Sequence, residues 1–178
     1  RILLSKGVPI EATSILAREL PDRLRDFLDE VELRQAEMFL FEPGISILRE
    51  ARLAVSAGRV SAMHDPTEGG LITALWELAE ASGQTLWVDL SAVPVPSISR
   101  KMCQMLGIDP LAAIASGALL LTAPPKDAGM IRSAWEKEGI LCSEIGGVEE
   151  GPAAVWEVRE SGRQLLWKPV RDEIAKLF

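Results

Sequence analysis

The chain has 178 residues, of which 48% are hydrophobic and 25% charged, and a formal net charge of -7. That length suits one packed domain, and the acidic balance with scattered Lys and Arg argues against a nucleic-acid partner. Cys103, Cys142 and a single histidine are too few for a usual structural zinc site; two lone thiols suit a reducing cytoplasm, and no apolar run approaches the ~20 residues that span a bilayer.

The chain opens at Arg1 and runs directly into the strand-like Ile2-Leu3-Leu4, which reads as a piece of a longer protein. Ile10 to Leu28 carries apolar residues at helical spacing, with Pro21 marking a kink or the first turn of a second helix. Glu42-Pro43-Gly44 reads as a turn, Ile47–Ala57 as an amphipathic helix stopped by Gly58, and Val60–Met63 as a short strand. The next helix is expected over Pro66–Ala81. A strand over Thr85–Leu90 and a helix over Ser97–Leu106, ended by Gly107, follow. Ala118–Thr122 is a strand, Lys126–Glu138 a helix and Cys142–Val148 a strand. Ala153–Arg159 and Arg163–Trp167 pair as a hairpin across Glu160-Ser161-Gly162, and a short helix over Val170–Leu177 closes the chain. Strands alternating with helices predict a three-layer α/β/α fold with a mixed sheet in a single domain, residues 1–178. Cys103 and Cys142 read as buried packing residues, and Trp87, Trp156 and Trp167 as core or hairpin packing.

His64-Asp65-Pro66-Thr67-Glu68-Gly69-Gly70 is the most informative stretch. Asp65 as N-cap, Pro66 at the first helical position and Glu68 three residues after the cap form a complete capping arrangement. The two glycines are what capping leaves unexplained, since each costs roughly 1 kcal/mol against alanine inside a helix. They fit a helix start whose main-chain amides stay bare for a phosphate or carboxylate. On this reading His64 and Asp65 are candidate catalytic residues, and Thr67, Gly69, Gly70 and Glu11 candidate substrate- or phosphate-binding residues. For His64 a hydrogen-bonded structural role stands beside acid–base work. Thr67 is also explained by first-turn capping and Glu11 by the dipole of its helix. No metal ligands are expected in this chain.

Val60 to Leu71 resembles the HDPT-x-GG segment of hydrogenase-maturation proteins related to aminoimidazole ribonucleotide (AIR) synthetase. Lys6-Gly7-Val8-Pro9-Ile10-Glu11-Ala12-Thr13 resembles the same family's KG-x-x-IEGT stretch, Leu106 to Leu111 its LGLDPL, Ala115 to Leu121 its ASGALLI and Ile145 to Val148 its IG-x-V. The resemblance implies the carboxy-terminal domain of a two-domain, ATP-dependent enzyme. The absent amino-terminal domain would supply the Mg2+–ATP site and the dimer contact, and this domain would position phosphate and a small-molecule substrate in the cleft between the two.

The sequence departs from that pattern in three places. It ends Ile174-Ala175-Lys176-Leu177-Phe178, without the terminal cysteine on which the maturation enzymes act. Glu68 stands where many of them carry arginine, and Ser116 where they often have glutamate. Two rival readings therefore stand beside the enzymatic one. One is a non-catalytic interaction or regulatory module with the same fold, and the other a phosphotransferase resembling thiamine-monophosphate kinase.

Overall fold

Strand β1 (Ile2–Ser5) is the pivot of the structure, a computed structural model that describes residues 1–178. Its neighbour on one side is β4 (Leu120–Thr122) and on the other β5 (Cys142–Glu149), both antiparallel to it. With β2 (Ala62–His64), β3 (Thr85–Val88), β6 (Ala154–Arg159) and β7 (Gly162–Leu165) they make a seven-stranded sheet in the order β2-β4-β1-β5-β3-β6-β7. Every pairing is antiparallel except β3 with β6, so the sheet is mixed.

The period-two pattern of the apolar strands explains why helices cover both faces. Ile2, Leu4 and Leu120 point into one core with Leu71, Ile72 and Leu75 of helix α5 (Gly70–Ser82). Leu3, Leu119 and Leu121 point into the opposite core. There they meet Ala54 of α4 (Leu48–Ala57) and Ala128, Ile131 and Trp135 of α7 (Pro125–Lys137). A third cluster joins α1 (Ile10–Glu19), α2 (Pro21–Leu24), α3 (Glu30–Glu37) and α6 (Ser97–Leu106). The three-layer α/β/α expectation is thus met.

Most expected elements lie within a few residues of their observed bounds. Pro21 opens the separate helix α2, and the closing hairpin turns over Glu160-Ser161, because Arg159 pairs with Gly162. Five expectations change. Helix α3 had no counterpart; Asp29 caps it by accepting from the Val31 and Glu32 amides while Glu32 returns a bond to the Asp29 amide. The helix expected over Pro66–Ala81 begins instead at Gly70, and the C-terminal helix shrinks to a 3-10 turn over Glu173–Lys176. Cys103 is buried as expected but Cys142 is only half-buried, and Trp167 is 48% exposed beyond the end of β7.

Candidate functional site

His64 ends β2, where it pairs with Leu120, and the chain then leaves the sheet through Asp65-Pro66-Thr67-Glu68. The expected capping arrangement does not form, because Gly69 (φ 78) and Gly70 (φ 63) are both left-handed and the helix can only start beyond that reversal. Gly69 itself is the N-cap, without a side-chain cap of its own. Asp65, five residues upstream of the first helical residue Gly70, is therefore released from capping.

The expectation of bare amides at Gly69-Gly70 is corrected. The Gly69 amide donates to Asp172 Oδ2 at 2.6 Å, the Gly70 amide to the Thr67 carbonyl at 2.9 Å and the Ile72 amide to the Leu111 carbonyl at 3.1 Å. Both glycines are buried. A Cβ on Gly70 would lie 2.6 Å from the carbonyl oxygens of Leu111 and Ala113, and one on Gly69 would lie 2.2 Å from Thr73 Oγ1. Close packing and a left-handed backbone account for this glycine pair. Thr67 and Glu68 are exposed on the outer side of the turn.

What the turn presents instead is carboxylate. Asp65 is half-buried, and one of its oxygens, Oδ1, is shielded from solvent without a hydrogen-bond partner. Burial pushes its carboxyl above the ordinary range and the Glu11 carboxylate adds to that, while the Gly117 amide, His64 and Lys6 pull the other way. Glu11, in the first turn of α1, likewise has a shielded, unpartnered Oε2. Lys6 carries the balancing charge: its ammonium lies 3.0 Å from Glu50 Oε1 and donates to the Gly44 and Ser46 carbonyls at 3.1 and 2.8 Å. Glu50 Oε2 is a third shielded oxygen without a partner. The Lys6 ammonium is thus paired with Glu50 and only weakly favours the ionised Asp65, and Glu11, Glu50 and Asp65 each retain one unfilled acceptor.

His64 stands at the rim of this group. Its Nε2 is 2.7 Å from Glu77 Oε2 on α5, and its Nδ1 is 3.1 Å from the Asp65 carbonyl. A ring held at both nitrogens has a fixed orientation, which suits proton transfer as well as it suits structure. The structure thus brings His64, Asp65 and Glu11 to one neighbourhood, with Thr67 on the turn beside it and Gly69 and Gly70 as its packed floor. Lys6 and Glu50 belong to the same group but were not singled out as chemistry-bearing. The signal for Lys6 was present, as the one polar side chain directly after the apolar strand β1.

None of His64, Asp65, Glu11 or Thr67 lines the 770 Å³ cleft beside Lys6 and Glu50, nor the 490 Å³ cleft at the opposite end of the sheet. No group of three or more His, Cys, Asp or Glu side chains converges as an all-protein metal cage would require. Nor does the occupied start of α5 fit the phosphates of ATP. No helix is long and apolar enough to cross a membrane.

The sequence profile of the family described as AIR synthase related protein, C-terminal domain, matches residues 13–158. Carbamoyl dehydratase HypE of Cupriavidus necator is 32% identical over 137 residues, which cover 75% of this chain and 35% of that protein. A crystal structure of hydrogenase maturation protein HypE in complex with ATP superposes with a TM-score of 0.65 at 25% identity, over 94% of this chain and 50% of that one. The crystal structure of E. coli HypE gives a TM-score of 0.75 at 23% identity, over 99% and 52%. The chain therefore spans about half the length of the solved structures it matches.

Proposed function

Because the chain belongs to the AIR synthase-related family by its carboxy-terminal domain, we propose that it is the half of an ATP-dependent enzyme that positions a small-molecule substrate in a cleft closed by another domain. Two observations in other proteins support the ATP assignment and the shared architecture: a HypE structure holds ATP, and the chain covers only half of that structure. The observation that carries the site is the carboxylate group itself. Asp65 and Glu11, both half-buried, each hold a shielded oxygen without a hydrogen-bond partner. Folding tolerates such atoms at a cost of about 1–3 kcal/mol each, and they concentrate where a ligand completes them.

An acceptor-rich, net negative face selects its ligand. It repels phosphate and attracts a donor, so the nitrogen or hydroxyl end of the substrate would lie against Asp65 and Glu11. The phosphates would lie toward the domain outside residues 1–178. A carboxyl raised by burial holds its proton closer to neutral pH than an ordinary aspartate, which equips Asp65 to pass a proton to or from the substrate. His64, held by Glu77, is the second candidate for that transfer.

The test is ATP turnover by the full-length protein. Asp65→Asn and Glu11→Gln preserve shape and remove charge, so each should lower turnover by on the order of a hundredfold or more, as loss of a general acid or base does. Both variants turning over at the parental rate would leave a non-catalytic module as the better account.

A further inference from the structure

Resting on that reading of the site, we propose that Asp172 is a positioning residue for the Asp65–Gly70 turn and holds the candidate catalytic face in register from the far end of the chain. The turn is suspended between two anchors. At its start, His64 is fixed by the β2–β4 pairing with Leu120. At its end, Gly69 is fixed by its amide bond to Asp172 Oδ2, a buried 2.6 Å contact across 103 residues of sequence. Between them lie Asp65 and Thr67, which have to be placed to within a fraction of an ångström if they act on a substrate.

The geometry at Asp172 is that of a purpose-built anchor rather than a surface contact. The side chain is only 5% exposed, and its second oxygen accepts the Ile174 amide at 3.0 Å, which fixes the carboxylate's own orientation. A carboxylate at the amino end of a helix is also favoured by the helix dipole. The segment that carries it is docked independently. The Glu173 amide donates to the Ala112 carbonyl at 3.1 Å, Glu173 Oε2 accepts from the Asp109 amide at 3.1 Å, and Ile174 and Leu177 pack against the α1–α3–α6 cluster. Asp172 thus reaches the turn from a segment whose other contacts are made to Asp109, Ala112 and the α1–α3–α6 cluster rather than to residues 65–70.

Glu173 supplies the internal control. It ties the same segment to the loop around Asp109, and none of its hydrogen bonds reaches the Asp65–Gly70 turn. In the full-length protein, Asp172→Ala should lower kcat by on the order of tenfold to a hundredfold with a much smaller change in KM. The acid limb of its pH profile should move to lower pH as a loosened turn hydrates Asp65. Asp172→Asn keeps one oxygen to accept from the Gly69 amide while giving up the Ile174 bond, and should recover part of the lost kcat, which also guards against misfolding of the alanine variant. Glu173→Gln should lower the unfolding midpoint while leaving kcat and the pH profile in place. Equal kcat losses in Asp172→Ala and Glu173→Gln, or a destabilised Asp172→Ala with parental kcat and pH profile, would overturn the proposal. If the full-length protein turns over no ATP, the functional reading fails but this inference is still decided. A carbon-13 titration of the Asp65 carboxyl should then show its pKa falling toward the ordinary range in Asp172→Ala, and an unchanged titration rejects the anchor.

Discussion

Lys6 Nζ lies 3.0 Å from Glu50 Oε1, and the two side chains are 9% and 5% exposed. The same ammonium donates to the Gly44 and Ser46 carbonyls, so one side chain ties the end of β1 to α4 and to the turn between α3 and α4. Removing one member of a buried ion pair strands the other, at a cost of about 3–5 kcal/mol, whereas replacing both by apolar groups of similar volume is often neutral. Lys6→Ala should therefore lower the unfolding free energy by that amount, read as a lower urea midpoint at an unchanged slope of the transition. The double variant Lys6→Met/Glu50→Leu should be more stable than Lys6→Ala. A double variant at least as unstable as the single one would mean that the carbonyl contacts, not the charge pair, hold this junction.

The glycines at the two ends of α5 make a matched pair for substitution. Gly83 caps the carboxyl end at φ 65 with nothing within 4 Å of an added Cβ, so Gly83→Ala meets only the left-handed backbone, a penalty of about 1–2 kcal/mol. Gly70 has nearly the same φ, 63, but its Cβ would press on the Leu111 and Ala113 carbonyls at 2.6 Å. Gly70→Ala should cost the same strain plus an overpacking penalty of about 1–3 kcal/mol. Thermal unfolding of the two variants separates the terms. Equal shifts would show that the Leu111–Ala113 loop yields freely.

The motif Asp-x-x-Glu occurs at Asp29–Glu32 and at Asp65–Glu68 and shows what local sequence can decide. Asp29-Glu30-Val31-Glu32 builds the full capping box at the start of α3, but the segment that follows lacks an apolar run strong enough to mark a helix. Asp65-Pro66-Thr67-Glu68 has the same spacing and a proline in the favoured place, yet no cap forms, because Gly69-Gly70 reverses the backbone before the helix begins. That reversal is enforced by Asp172 and by the Leu111–Ala113 loop, both remote in sequence. The layers of the fold were readable because unbroken apolar runs such as Ile2-Leu3-Leu4 and Leu119-Leu120-Leu121 are a local signal of strands buried on both faces. His64, Asp65 and Glu11 were readable as candidates from their residue types in context. Their grouping around Lys6 and Glu50 was not, since it depends on which loops the sheet brings to one end.

The two thiols should differ sharply in reactivity. Cys103 is 1% exposed, and burial pushes its pKa up to about 12, so almost no thiolate exists at neutral pH. Cys142 is half-buried at the start of β5 and is raised for the same reason. A maleimide in excess should modify Cys142 slowly and Cys103 only on the timescale of unfolding. Rapid labelling of Cys103 in the folded protein would place α6 in frequent local opening.

Asp65 and Asp127 should respond to pH with opposite sign. Burial, with the Glu11 carboxylate, raises the Asp65 carboxyl, so the folded state binds this proton more tightly than the unfolded chain does. Between the ordinary carboxylate range and that raised value the folded state carries the excess proton, and stability falls as pH rises through the window. Asp65→Asn removes the buried charge and should be more stable than the parent at neutral pH, with the advantage disappearing in acid. Asp127 is held low by the Arg59 amide, then by the Arg59 guanidinium, so its contribution is present above the ordinary range and lost as pH falls through its depressed value. Asp127→Asn should accordingly be less stable than the parent at neutral pH and converge with it in acid. Urea midpoints from pH 3 to 8 on the parent and both variants test the pair together. An Asp65→Asn protein that is less stable than the parent at neutral pH would show that the aspartate serves the fold, and the stability conceded to a working site would then have to be sought elsewhere.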